Sequence, residues 1–322
     1  MRSFKQYSAL AEEAVKSLPL PENEFPTLYS PVRYALEAGG KRLRPVLLMM
    51  GAEAFGLDAR EVMMPAAGIE TFHNFTLLHD DVMDHSDMRR GRPAVHRKWN
   101  ESCAILSGDA MLTLATDWIS RVDAAALPRV LSVFNRTALD VYEGQALDMD
   151  FEQRDDVTID DYLRMIGGKT SALLAGAVGI GALAAGASEK DFRALYDFAY
   201  SLGIAFQIKD DWLDVYGDST VFGKPIGGDI LNRKKTYLLI KALSSGRKTA
   251  DAIAQAYSTL GGEDLIRRVR GIYDEAGIPA VCEETIGEYH ARAIESLSGC
   301  SISTEASEAF ADLACRLASR EK

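Results

Sequence analysis

The chain has 322 residues, 47% hydrophobic and 26% charged, which places it among ordinary globular proteins with enough material for a large buried core. Its net charge of -11 and pI near 5.1 argue against a nucleic-acid partner, so any anionic ligand must be met by local cation clusters or metal ions. Cys103, Cys282, Cys300 and Cys315 form no CxxC pair and share no ligand spacing with the histidines, which excludes a structural zinc site and a disulfide framework. A reducing cytoplasm is the expected compartment.

In chain order, the opening MRSFKQYSALAEEAV carries glutamates where an export signal has an apolar core, so no export is expected. From Arg33 onward apolar residues recur at three- and four-residue spacing, while alternating Val/Ile/Thr runs are almost absent. The pattern predicts an all-α chain. Turn signals at Gly39-Gly40, Gly91 to Pro93, Gly167-Gly168, Gly217 to Gly228 and Gly261-Gly262 separate the helices. No composition shift divides the chain, which reads as one domain over residues 1–322. The apolar stretch at residues 171–187, SALLAGAVGIGALAAGA, is short for a bilayer span and rich in Ala and Gly. It reads as a buried helix with close neighbours, with no transmembrane segment expected. The absence of a fixed-period repeat favours a bundle with an internal ligand site over a solenoid.

Two acidic clusters stand at the ends of helical patterns. HDDVMD follows AAGIETFHNFTLL and sets Asp80 and Asp84 one turn apart with Asp81 beside them; KDDWLD follows DFAYSLGIAFQI and repeats the spacing with Asp210, Asp211 and Asp214. The three carboxylates of each cluster are expected to converge. Carboxylates at a helix C-terminus face the negative end of the macrodipole and repel one another, a cost that a bound cation relieves. Oxygen ligands from a few carboxylates suit Mg²⁺, which keeps waters and completes its shell with phosphate oxygens. An EF-hand is excluded, because twelve positions from Asp80 end on Gly91 and the sixth is His85.

Cations gather in GGKRLRP (Lys41, Arg42, Arg44), MRRGRP (Arg89, Arg90, Arg92) and GKPIGGDILNRKK (Lys224, Arg233, Lys234, Lys235). GGKRLRP is no Walker loop, since neither Ser nor Thr follows the lysine and no strand precedes it. A cationic loop after each acidic cluster is what a diphosphate needs: metals bridge its oxygens while Arg forks and Lys charges complete the neutralisation.

DDVMD with RRGRP, then FQIKDDWLD and GKPIGGD, together with GGKRLRP and ETFH, resemble the motifs of trans-prenyltransferases, the polyprenyl synthetase family, over roughly residues 33 to 240. The resemblance implies a single helical bundle of the isoprenoid synthase type around a central active-site cavity. It further implies that Asp80, Asp84, Asp210 and also Asp81 and Asp214 hold Mg²⁺, three ions in all, against an allylic diphosphate. Arg89, Lys169, Thr170, Gln207, Lys224 and Lys234 would surround that diphosphate, with Lys169, Lys224 and Asp211 counted in the catalytic set. Lys41, Arg44, His73 and Arg90 would hold isopentenyl diphosphate, and a homodimer is the family's usual state.

The implied reaction ionises the allylic diphosphate; the double bond of isopentenyl diphosphate attacks the carbocation, and the departed diphosphate takes the proton that is lost. A terpene cyclase of the same fold would need no second diphosphate site, and a non-catalytic partner subunit would be expected to lack the aspartates, which are intact. For product length, Phe75 lies five residues before Asp80, about 7.5 Å along the helix axis, with Phe72 one turn further on the same face. Within the family, Phe75 followed by Thr76 resembles archaeal-type geranylgeranyl synthases. Twenty carbons is therefore the expected product, with fifteen as runner-up.

Overall fold

The computed structural model describes residues 1–21, 24–217 and 226–318. Its helices are α1 (Phe4–Lys16), α2 (Pro26–Glu37), α3 (Leu43–Ala54), α4 (Met63–Met83), α5 (Val95–Lys98), α6 (Glu101–Ile119), α7 (Leu127–Glu152), α8 (Ile159–Ile166), α9 (Ala172–Ala184), α10 (Glu189–Tyr216), α11 (Gly228–Leu231), α12 (Tyr237–Ser244), α13 (Arg247–Thr259), α14 (Gly262–Glu275), α15 (Ile278–Leu297) and α16 (Thr304–Ala318). The only strands among the described residues are β1 (Met88–Arg89) and β2 (Arg92–Pro93), so the all-α expectation holds. They form an antiparallel ribbon closed by Arg90 and Gly91, both at positive φ (51° and 74°), the backbone a two-residue hairpin turn needs.

Two compact units emerge. The first comprises Met1–Arg136, Gly176–Tyr196 and Ser301–Ala309; the second comprises Thr137–Ala175, Asp197–Cys300 and Phe310–Lys322. In the first, α4 packs along α6 and is flanked by α1 and α3, with Phe72, Ile69, Ala66, Met111 and Trp118 in its core. Gly51 on α3 and Gly181 on α9 let those helices touch backbone to backbone, because a Cβ on either would overlap the carbonyl of Val178 or Leu48. In the second, α8, α12, α13, α14 and α15 bury a cluster containing Tyr162, Ile208, Leu238, Val269 and Tyr273.

Helix α8 begins at a reciprocal cap, in which Thr158 Oγ accepts from the Asp161 amide and Asp161 accepts from the Thr158 amide. Its buried face is Tyr162, Met165 and Ile166. The turn expected at Gly167-Gly168 does not form. Residues Gly167–Ser171 make a π-helical turn inside one run, Ile159–Ala184. The glycines serve close packing instead: a Cβ on Gly168 would meet the Asp140 carbonyl at 2.5 Å, and one on Gly144 would overlap the Lys169 amide. That run is long and apolar enough to cross a membrane, but 83% of its most apolar window is buried against protein, which accounts for its composition.

Candidate active site

In the first unit, α4 carries Glu70, His73, Asp80 and Asp81, with Asp84 as its C-cap. Arg42 of GGKRLRP turns inward at φ 49° and is 4% exposed, bonding Glu70 at 2.8 Å, Glu12 at 3.0 Å and the Leu36 carbonyl at 2.7 Å. Burial opposes its charge, yet Glu70 and Glu12 more than offset this and raise its pKa. Arg42 is thus a brace, while its motif neighbour Lys41 is exposed. Arg90 donates to the Gly39 carbonyl, and a side chain on Gly40 would press on its guanidinium at 2.9 Å.

Arg44 has its Nε enclosed with no hydrogen-bond partner, and burial, with Arg90 nearby, pushes its pKa down to about 10 against the pull of Glu70. Arg90 is lowered by burial and by Arg42 and Arg89. His73 falls well below the ordinary imidazole value, chiefly through burial and then through Arg44, Arg90, Arg89 and Arg42, and so is neutral at pH 7. Among the described residues neither Arg44 nor Arg90 forms an ion pair, because Glu70 is taken by Arg42 and Asp81 by Arg89. Like charges held together in this way are relieved by an anion. Three of the four sequence candidates for one diphosphate, Arg44, His73 and Arg90, meet here.

Asp81, expected among the metal ligands, is 3% exposed and accepts from Arg89 Nε at 2.9 Å. Adjacent positions on a helix point about 100° apart, so Asp80 and Asp84 share a face that Asp81 leaves. Further up α4, Phe72 stacks against Phe75 (5.5 Å between ring centroids) and Phe134 (5.3 Å), and Phe75 meets His79 at 4.8 Å. The Thr76 hydroxyl donates to the His73 carbonyl at 2.8 Å.

In the second unit, α10 carries Gln207, Asp210, Asp211 and Asp214. Asp211 is 6% exposed and is held by the Tyr162 hydroxyl (2.7 Å), Gln207 Nε2 (3.0 Å) and the Tyr237 amide (3.3 Å). Burial lifts its pKa to about 6 despite those bonds and Lys234. Thr170 donates to Gln207 Oε1 at 3.0 Å, and Lys169 pairs with Asp148 at 2.5 Å. Asp214 Oδ2 accepts from the Asp229 amide at 3.0 Å. Asp229 is raised to about 7 by burial, then by Asp211, Asp214 and Asp210, against Lys234. Arg233 is tied to the Tyr257 carbonyl and Lys235 to Asp155, which leaves Lys234 as the lysine acting on the acidic group. Lys224 lies outside the described residues.

The convergence of three carboxylates per cluster is not found: among the described residues no group of three or more His, Cys, Asp or Glu side chains is arranged to hold a metal ion. The second aspartate of each cluster is turned inward, leaving the pairs Asp80/Asp84 and Asp210/Asp214. Such pairs fit Mg²⁺, which takes one or two carboxylates and fills its octahedron with water and phosphate oxygens, better than a cation that needs a full protein cage. Asp229, Tyr162 and Asp148 were missed from sequence; for Asp229 alone a signal existed, as the last residue of GKPIGGD.

The profile of the polyprenyl synthetase family matches residues 25–274. A geranylgeranyl diphosphate synthase of Methanosarcina mazei is 43% identical over 288 residues, 85% of this chain and 89% of that protein. The chain belongs to the polyprenyl synthetase family. Like its relatives it is a prenyltransferase of the isoprenyl diphosphate synthase type. Among solved structures, a geranylgeranyl pyrophosphate synthase superposes with a TM-score of 0.94 at 39% identity over 100% of both chains. The Corynebacterium glutamicum geranylgeranyl pyrophosphate synthase, complexed with isoprenyl diphosphate and magnesium, gives 0.89 at 27% identity, covering 99% of this chain and 100% of that one.

Proposed function

We propose that this chain extends allylic diphosphates with isopentenyl diphosphate to geranylgeranyl diphosphate, with farnesyl diphosphate as the alternative product. The observation that carries the reading is the cluster of Arg44, Arg90 and neutral His73, a positive site at which Glu70 is already paired with Arg42, and Asp81 with Arg89. Together with Lys41 it holds isopentenyl diphosphate. Asp80, Asp84, Asp210 and Asp214 hold up to three Mg²⁺ ions, and Lys169, Thr170, Gln207, Lys224 and Lys234 surround the allylic diphosphate. Asp81 positions Arg89 beside that group, and Asp211 positions Gln207.

When bound, Mg²⁺ neutralises the leaving diphosphate as charge develops on it. The protein orients both diphosphates and keeps water from the carbocation. The carbon–oxygen bond breaks with its electrons going to diphosphate, the isopentenyl double bond forms the new carbon–carbon bond, and one proton is lost to regenerate an allylic alkene. Neutral His73 needs no part in proton transfer.

The uninterrupted family match over residues 25–274 supports a single prenyltransferase domain. Exposed Ile105 and Leu106 on α6, and separately the stripe of exposed Leu139, Tyr142 and Met149 on α7, support a homodimer. None of the four cysteines is in a disulfide, which fits a cytoplasmic protein.

The stacked Phe72, Phe75 and Phe134 rings support a floor to the product tunnel. The test is incubation of the purified chain with farnesyl diphosphate, isopentenyl diphosphate and Mg²⁺, with products sized by mass spectrometry. A twenty-carbon product is expected, and Phe75→Ala should lengthen it while costing about 3–5 kcal/mol of stability. A folded Phe75→Ala variant with unchanged products would place the floor elsewhere.

A further inference from the structure

The second unit contains a chain of hydrogen bonds whose donor directions are fixed by chemistry alone. Tyr162, 1% exposed on α8, donates to Asp211 Oδ2 at 2.7 Å. The other oxygen, Oδ1, is met by Gln207 Nε2 at 3.0 Å, and Gln207 Oε1 is met by the Thr170 hydroxyl at 3.0 Å. A carboxylate only accepts, so the nitrogen of the Gln207 amide must face Asp211 and its oxygen must face Thr170. Thr170 must then donate its single proton to Gln207. Two consequences follow for anything bound beside these residues. Gln207 retains a second N–H and meets a ligand as a donor, whereas Thr170 offers only lone pairs and cannot donate to a phosphate oxygen.

The Tyr162 hydroxyl is where this order begins. It occupies one oxygen of Asp211, with the Tyr237 amide on the same atom at 3.3 Å, and leaves the other oxygen directed at Gln207. The tyrosine ring is locked by the cap that starts α8 and by Tyr237, whose ring lies 5.8 Å away at 63°. Without that hydroxyl the carboxylate can rotate about its terminal bond, and the amide loses the contact that sets its orientation.

We infer that Tyr162 is a positioning residue for the allylic diphosphate: through Asp211 it fixes Gln207 as the hydrogen-bond donor to that group, and Thr170 acts only by holding Gln207. The inference rests on the proposed placement of Gln207 beside the allylic diphosphate. It separates two residues of the site that sequence treats as equivalent contacts. Gln207 touches substrate, and Thr170 serves it from behind.

The test is steady-state kinetics with farnesyl diphosphate and isopentenyl diphosphate varied in turn, on Tyr162→Phe, Gln207→Ala and the double variant, with circular dichroism to confirm folding. Tyr162→Phe should raise KM for the allylic substrate about tenfold, the size of one hydrogen bond to a charged group, and leave KM for isopentenyl diphosphate within about twofold. The double variant should be no worse than Gln207→Ala alone, because both remove one chain of contacts. A purely structural tyrosine would lower the melting temperature and disturb both KM values alike, or multiply the effect of Gln207→Ala, and either result overturns the inference. If Gln207→Ala raises the allylic KM while Tyr162→Phe does not, the inference falls and the functional reading stands. If Gln207→Ala leaves that KM unchanged, the placement of Gln207 falls and the inference with it. Should Tyr162→Phe fail to fold, Asp211→Asn replaces it at constant size: an amide there can donate as well as accept, so Gln207 loses its fixed orientation. The same selective rise in allylic KM is expected, and equal effects on both substrates would overturn the inference.

Discussion

Asp81 and Asp211 occupy the same place in two copies of one five-residue pattern, and both are turned inward, but what receives them differs. Asp81 meets a guanidinium, in a region where burial and neighbouring arginines lower Arg44 and Arg90 and keep His73 neutral. Asp211 meets a phenol and an amide, in a region where burial and mutual repulsion lift carboxylates to about 6 and about 7. The cluster of Arg44, Arg90 and His73 beside α4 therefore carries positive charge without an ion pair among the described residues, whereas buried carboxylates gather at the α10 end. One region is suited to receive an anion directly, and the other to receive a cation that brings an anion with it.

The sharpest way to break this contrast is to remove one outward carboxylate at a time. Asp210→Asn takes a ligand from a region with few cations, and turnover should fall by a factor on the order of 100 or more with helical content unchanged by circular dichroism. Asp80→Asn should fall comparably, because no lysine or arginine can replace a metal ligand. Near-normal turnover in either would remove the metal assignment.

A smaller, selective effect is expected from Arg44→Ala. The α4 region meets its anion with charge, so losing this guanidinium should raise KM for isopentenyl diphosphate roughly 10–100-fold and leave the allylic KM close to its original value. The reverse selectivity would exchange the two substrate sites.

The smallest effect concerns Asp229. Its carboxyl titrates near 7 in the fold and near 3.8 when unfolded, so between those values the folded chain binds the extra proton. Stability from this group accordingly falls as pH rises through that window, and the penalty is complete above about 7. In chelator, Asp229→Asn should raise the melting temperature by a few degrees at pH 8 and by nothing near pH 4. A loss of stability at pH 8 would mean that the acidic region is compensated after all.

Much of this contrast was legible in the sequence, where it depends on short-range spacing. The helical period placed α4 and α10, and the four-residue separation of Asp80 from Asp84 and of Asp210 from Asp214 put each pair on one face. What spacing cannot reveal is which neighbour a side chain meets. Arg42 and Arg44 sit two positions apart in one motif, and only the fold decides that the first is a brace paired with Glu70 while the second keeps a buried Nε without a hydrogen-bond partner. Gly167-Gly168 read as a turn because glycine breaks isolated helices, whereas here Gly144 and the Asp140 carbonyl press so close that only glycine fits within a continuous helical run. Tyr162 belongs to the acidic region through a contact 49 residues away in sequence, beyond the reach of any local pattern, whereas Asp229, 15 residues from Asp214, could be approached only as the last residue of GKPIGGD.

The opposite electrostatics of the two regions is tested most directly by calorimetric titration of each substrate with and without divalent metal, using a non-ionising thio analogue of the allylic diphosphate. Isopentenyl diphosphate should bind with similar affinity in excess chelator and in Mg²⁺, whereas the allylic analogue should bind only when Mg²⁺ is present. Metal-dependent binding of isopentenyl diphosphate, or full-strength binding of the allylic analogue in chelator, would contradict the account.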